Sequence, residues 1–282
     1  MDTSTGPLDE YIQFLLSFPN MTGLGLFSFF LLALMRIAPI VSMAPFLGSK
    51  LPGGAKMGLA MSLAVVFLPQ IIQTSSQVVA FNMGFVAFSL KELFMGYLIA
   101  FLSAIPFYIA QGSGSLIDFQ RGASSLQVTD PTTQTQTSTI GNLFNYILIV
   151  IFFEVGGPFY FLDAVSESYR MIPIDKMIPT SFFTTLSLPY WKTILGLLTR
   201  ITAIAIQLAA PSMVSILMAE MFLGIANRLA PQVQIVFLGM SLKSLLGLGM
   251  LWAGWYFILQ QMGKQSLLWV KNIDDILRSI SM

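Results

Sequence analysis

Long apolar runs fill most of this chain, and short polar or proline-marked stretches punctuate them. Windows suited to a bilayer core, which takes about 20 apolar residues in a helix, fall at residues 23–47, 57–72, 78–110, 140–153, 194–226 and 235–262. The second and fourth windows are short, whereas the third and fifth run past the usual length. Lys91, Glu92 and Pro106 interrupt the third; Arg200, Pro211 and Glu220 interrupt the fifth; Arg36, Pro39 and Pro45 fall in the first. Within hydrocarbon every backbone N–H and C=O needs a partner, so a proline-broken helix is tolerated only where protein or a watery cavity covers the break. Taken together, the interrupted segments predict broken helices or hairpins.

Two further stretches have an amphipathic period. After Pro158, Leu162, Val165, Tyr169 and Ile172 recur at helical spacing opposite Asp163, Glu167 and Arg170. Near the C-terminus, Leu267, Val270, Ile273, Leu277 and Ile280 form a stripe opposite Lys271, Asp274 and Arg278, predicting a helix over about 264–281. Each suits a helix that covers a partner, the membrane interface or the chain's own core. The largest internal departure from apolar character is "GSGSLIDFQRGASSLQVTDPTTQTQTSTIG", which predicts a polar loop over 112–139.

Composition turns the pattern into a class. Of the 282 residues, 55% are hydrophobic and 10% charged, against about a quarter charged in soluble domains; the mean hydropathy is +0.78. This is the composition of an all-α polytopic membrane protein, read as a single unit over 1–282. The acidic start, MDTSTGPLDEYIQ, has no cleavage pattern before its apolar run, so the first hydrophobic segment is expected to be retained. A six-span topology would place Lys50, Lys56, Arg121 and Arg228 on one side and Arg170, Lys176, Lys192, Lys264, Lys271 and Arg278 on the other. That distribution has no decisive positive-inside bias, which argues against six plain spans.

Charge and residue types narrow the functions. A net charge of +1 gives no basic field for nucleic acid. With neither cysteine nor histidine present, disulfides, thiolate or imidazole metal sites and histidine acid–base schemes are excluded, and no cofactor motif occurs. The charges inside apolar segments are the candidate functional residues, since each costs roughly 2.5–3.5 kcal/mol at a bilayer centre on insertion scales. Adjacent Lys91 and Glu92 are not expected to face each other on a helix, where partners lie three or four apart. Asp118 and Arg121 have that spacing. Glu220 and Arg228 are eight apart and would meet only if the helix ended between them. As relay residues, Asp118 and Glu220 would suit a self-contained, ion-coupled secondary transporter of small molecules, with a binding site near mid-membrane.

Read in order, "RIAPIVSMAPFLGSKLPGGAKMGLAMSLAVVFLP" from Arg36, "KELFMGYLIAF" from Lys91, "LIDFQRGASSLQVTDP" from Leu116, "GGPFYFLDAVSESYRMIP" from Gly156 and "APSMVSILMAEMFLGIANRLAPQVQIVFLGMSLKSLLGL" from Ala210 resemble the T-type export-apparatus subunits of bacterial type III secretion systems, the SctT family. The flagellar relative is the R-type gate protein, FliR. The motifs are individually weak, but their ordered set is specific and spans most of the chain. Arg121, and Pro158 after Gly157, depart from flagellar members and lean toward the virulence branch.

The resemblance implies a non-enzymatic subunit of a protein-conducting gate in the bacterial inner membrane, with bent helical hairpins built into a helical assembly projecting toward the periplasm. Its implied partners are R-type and S-type gate subunits, a U-type switch subunit, membrane lipid and unfolded secreted proteins in transit. It also implies a pore plug carried by Gly114, Leu116, Ile117, Asp118, Gln120, Arg121 and Gly122 and the polar run behind them. Arg36, Lys91, Glu92, Glu220, Arg228, Pro231, Gln232 and Lys243 are then structural or interface polar residues, with Pro211 and the turn from Arg228 to Gln232 shaping a hairpin. No cofactor is implied.

Overall fold

A computed structural model describes residues 7–18, 22–122, 138–177, 189–229, 235–265 and 268–269, and no strand occurs among them. The helices are α1 (Pro7–Leu16), α2 (Gly23–Met43), α3 (Gly53–Thr74), α4 (Met83–Gln120), α5 (Thr139–Glu154), α6 (Gly157–Met171), α7 (Pro189–Leu229) and α8 (Ile235–Ala253), followed by α9 (Trp255–Gln265). Four are long and apolar enough to cross a membrane, and six spans result if the bent pairs α5/α6 and α8/α9 each count as one. The predicted all-α, polytopic class is therefore what the described residues form.

Proline does not break these helices where the sequence reading placed the breaks. Pro39, Pro69, Pro106 and Pro211 all lie inside continuous helices. The described breaks fall at glycine. Gly156, with φ 76°, separates α5 from α6, and Gly254 lies at the 63° bend between α8 and α9. Lacking a Cβ, glycine adopts positive φ at little cost, whereas proline removes one N–H and bends a helix without ending it. Proline does mark the ends: α2 stops at Met43, just before Ala44–Pro45, and Pro52 is the N-cap of α3. A residue preceding proline is driven out of the α region.

By chain contacts the described residues form two compact units, one within Met1–Ala104 and Pro158–Lys192, the other within Ile105–Gly157 and Thr193–Trp269. In the first, α2 packs on α3, and Phe29, Leu32, Ile37, Ile40, Ile71 and Met95 are fully buried. Phe46 meets Phe161 edge-on at 5.0 Å. The apolar stripe predicted on α6 faces this core: Val165, Tyr169 and Ile172 are buried, while Arg170 on the opposite side is exposed. That helix covers its own unit's interior. The second amphipathic helix, about 264–281, lies almost wholly outside the described residues.

In the second unit α4 and α5 approach at bare backbone. A Cβ on Gly114 would strike the backbone of Ile140 and Gly141, and one on Gly141 would press on the Gln111 carbonyl and the hydroxyls of Ser115 and Ser138. Farther along the pair, Phe107 and Phe152 stack edge-on at 5.5 Å. Ile216, Ala219 and Leu223 give α7 its buried face, and the glycines of α8 admit that face: Gly239 lies against Leu223 and Gly247 against Ile216.

Candidate functional site

In the first unit, the charges of two apolar segments gather into one buried cluster. Arg36 of α2 chelates Glu92 of α4, with Nε on Oε2 and Nη2 2.9 Å from Oε1, and both side chains have 0% exposure. Two parallel N–H donors on one carboxylate make the strong, planar form of an ion pair. Lys91 also reaches Glu92, at 2.6 Å. The expectation that adjacent Lys91 and Glu92 would not meet is thus corrected: the four-carbon lysine stem curls around the helix and brings the ammonium back to its neighbour.

Two cations on one carboxylate leave a surplus positive charge, and the end of α6 absorbs it. Arg36 donates to the Ser168 hydroxyl at 3.1 Å and to the Ile172 carbonyl at 2.9 Å. Lys91 Nζ donates to the carbonyls of Pro173, Ile174 and Lys176 at 2.8, 3.1 and 3.0 Å. These carbonyls lie just beyond Met171, where α6 ends, outside the helix's own hydrogen-bond ladder, so the cations supply donors that the helix does not. The Tyr169 ring lies under the Arg36 guanidinium at 4.2 Å, a cation–π contact. Gly96, one turn beyond Glu92, permits the approach, since a Cβ there would collide with the Arg36 backbone.

Asp175 ties the following turn down by accepting from the amides of Ser76 and Gln77 at 2.8 and 3.2 Å, and Gln70 exchanges hydrogen bonds with Ser166. None of Ser168, Asp175 or Gln70 was singled out in the sequence. The available signal was the turn around Pro173, whose carbonyls lie outside any helix and require donors.

The second unit contains a clasp at Asp118. Its carboxylate pairs with Arg121, as the i,i+3 spacing predicted, through Nη2 at 2.6 Å. It also accepts from the Ser138 hydroxyl and from the Ile140 amide, the latter at 2.9 Å. Ser138 is the N-cap of α5 and accepts from Gly141 N at 2.9 Å. One buried carboxylate therefore joins the last turn of α4 to the first of α5. Ser138 was missed in the sequence, although a serine immediately before an apolar run is the usual N-cap signal.

These contacts correct the loop's boundaries. Gly114, Leu116, Ile117, Asp118 and Gln120 belong to α4, and only Arg121 and Gly122, with φ 80°, form the turn that leaves it. Gly and Ser between apolar residues look loop-like in sequence, yet here they supply the flat surface on which α5 packs. Residues 123–137 of the predicted loop lie outside the described residues, as do Pro231 and Gln232. Glu220 does not pair with Arg228, because α7 continues through both. Its partner is Lys243 of α8, and Arg228 is exposed on the last turn.

Comparison with known proteins bears on this architecture. The family model described as "Bacterial export proteins, family 1" matches residues 27–267. The chain belongs to this family. Yop proteins translocation protein T of Yersinia pestis is 32% identical over 216 residues, covering 76% of the chain and 80% of the relative. Surface presentation of antigens protein SpaR of Shigella flexneri is 30% identical over 219 residues, covering 76% and 79%. Flagellar biosynthetic protein FliR of Bacillus subtilis is 29% identical over 219 residues, covering 77% and 82%. This family member is a T-type export subunit related to FliR, and with its apolar helices it is a multi-pass inner-membrane protein.

Proposed function

We propose that the chain is a non-enzymatic structural subunit of the type III secretion export gate. It forms part of the protein-conducting channel beside R-type, S-type and U-type neighbours, in an assembly that projects toward the periplasm. Its work is positional: apolar helices pack laterally on neighbours, and the polar segment after α4 closes the channel until an unfolded substrate displaces it.

The observation that carries this reading is the Asp118 clasp. Arg121 on one side of the stretch ASSLQVTDPTTQTQT (residues 123–137) and Ser138 and Ile140 on the other bind one carboxylate, beside the Gly114–Gly141 contact. The stretch has one charged residue, Asp130, and is otherwise neutral, mostly Thr, Ser and Gln. A plug that touches water when closed and many different polypeptides when open needs this chemistry, since strong charge would hold some substrates and repel others. Asp118, held by Arg121, Ser138 and Ile140, has the contacts of a helix cap rather than of a free proton relay.

Deleting residues 124–137 while keeping Asp118 and Ser138 tests the role. The gate is expected to assemble, and the membrane to leak ions. Unchanged permeability together with normal secretion would refute the plug.

A further inference from the structure

We propose that the recess between α2, α3 and the first half of α4 binds an anionic phospholipid of the inner membrane. Its phosphate sits on Lys56, Tyr97 and Ser42, and an acyl chain runs along α3. Such a site depends only on the membrane class of the chain and not on its place in the gate.

The cations of this region have no carboxylate of their own. From Ile37 to Leu90 the chain carries Lys50 and Lys56 and no acidic residue. Glu92, which follows, is taken up by Arg36 and Lys91. Among the described residues neither Lys50 nor Lys56 has an ion pair or a side-chain hydrogen bond. Lys56 lies in the first turn of α3, where the helix dipole disfavours a cation, so helix stability does not account for its place. An anion supplied from outside the chain does.

The recess has the size, lining and level of a headgroup site. Its volume of about 370 Å³ falls within the range of small-molecule sites, about 300–1,000 Å³. Lys56, Ser42 and Tyr97 line it beside apolar Ala38, Ala60 and Leu93. Neither hydroxyl has a hydrogen-bond partner among the described residues, so all three polar groups are free to donate to one phosphate. With 22 residues, α3 rises about 33 Å and matches a hydrocarbon core of about 30 Å. Its first turn then lies at the edge of the core, the level at which Lys and Tyr side chains reach the headgroups. Met57, Met61 and Val65 are exposed at helical spacing along α3, and Met57 also lines the recess. That stripe rises about 12 Å, close to the roughly 15 Å of acyl chain in one leaflet. Basic pockets between membrane helices hold anionic headgroups; a zwitterionic lipid carries its own cation and gains less from Lys56.

The test places the full chain, with the membrane proteins that accompany it in mild detergent, in phosphatidylcholine vesicles containing phosphatidylglycerol with a photoreactive acyl chain. Irradiation is expected to label the peptide that holds Met57, Met61 and Val65. The same photoreactive chain on phosphatidylcholine should label it several-fold less. Lys56→Gln should lower labelling by phosphatidylglycerol about fivefold, the worth of one lysine beside an anionic surface, and adding Tyr97→Phe should lower it further. Lys56→Arg keeps the charge and should keep the labelling, and Lys50→Gln, outside the recess, should change it little. Excess inorganic phosphate should not compete; competition would mean a site for a free anion and would overturn the lipid assignment. Equal labelling by the two lipids, labelling indifferent to Lys56→Gln, labelling confined to other helices, or no labelling because a companion protein fills the recess would overturn it too. Should Lys56→Gln fail to accumulate, the comparison of the two lipids on the unsubstituted chain still decides.

Discussion

Replacing Glu92 with glutamine probes how the first unit is held together. The substitution keeps the side chain's shape and removes the one negative charge between Arg36 and Lys91, whose side chains are 0% and 3% exposed. Two cations would remain in an apolar interior, facing carbonyls, the Ser168 hydroxyl, the Tyr169 ring and, near Lys91, the Asp175 carboxylate. Breaking a buried ion pair by removing one partner costs about 3–5 kcal/mol, because the remaining charge stays desolvated. At about 2–4 °C per kcal/mol for a chain of this class, the melting temperature in detergent should fall by on the order of 10 °C. Exposed Arg170, paired to Glu167 at 3.3 Å, is the control: Arg170→Gln should cost no more than about 0.5 kcal/mol. Replacing Arg36 and Glu92 together by methionine should cost less than the sum of the two single changes, since only Lys91 then lacks its carboxylate and it keeps the carbonyls of Pro173, Ile174 and Lys176. Thermal scans of Glu92→Gln, Arg170→Gln, the two single methionine variants and the double variant measure this. A Glu92→Gln shift no larger than the Arg170→Gln control, or strict additivity of the double variant, would refute the reasoning.

Other outcomes follow from the same contacts. Lys91→Met frees the carbonyls of Pro173, Ile174 and Lys176, so limited trypsin digestion at Lys176 should speed up several-fold; an unchanged rate would mean that other contacts hold that turn. Asp118→Asn weakens the cap of α5 and the pair with Arg121, at a cost of about 1–2 kcal/mol. Hydrogen exchange at the Ile140 and Gly141 amides should rise by roughly tenfold, with little change in α2 or α3. Gly141→Ala forces a Cβ against the Gln111 carbonyl and two serine hydroxyls, and should cost about 1–3 kcal/mol, whereas Gly58→Ala, which meets open space, should not destabilise.

The apolar windows made the membrane class and most helices legible, because a bilayer imposes a length and composition that no soluble fold shares. The break positions were less so. Pro106 and Pro211 read as interruptions, but each removes one N–H from a helix that continues past it, whereas the turn at Gly156, with φ 76°, depends on backbone freedom that leaves no hydrophobic signature. The Asp118–Arg121 pair was legible because its spacing is local. The union of Arg36, Glu92 and the end of α6 was not, since it joins segments 56 and 136 positions apart. Lys91 misled because a spacing rule built on Cβ positions overlooks the reach of a lysine stem. The glycines and serines of 112–120 misled in the other direction, since small residues mark both loops and the closest helix contacts.

The central claim is that the chain works as a structural part of an assembled gate, and isolating it from its native membrane in mild detergent tests this most directly. The account predicts a discrete complex in which mass spectrometry identifies at least two further small, helical export-apparatus proteins. A monodisperse chain without partners, carrying ion-coupled transport of small molecules by itself in liposomes, would contradict it.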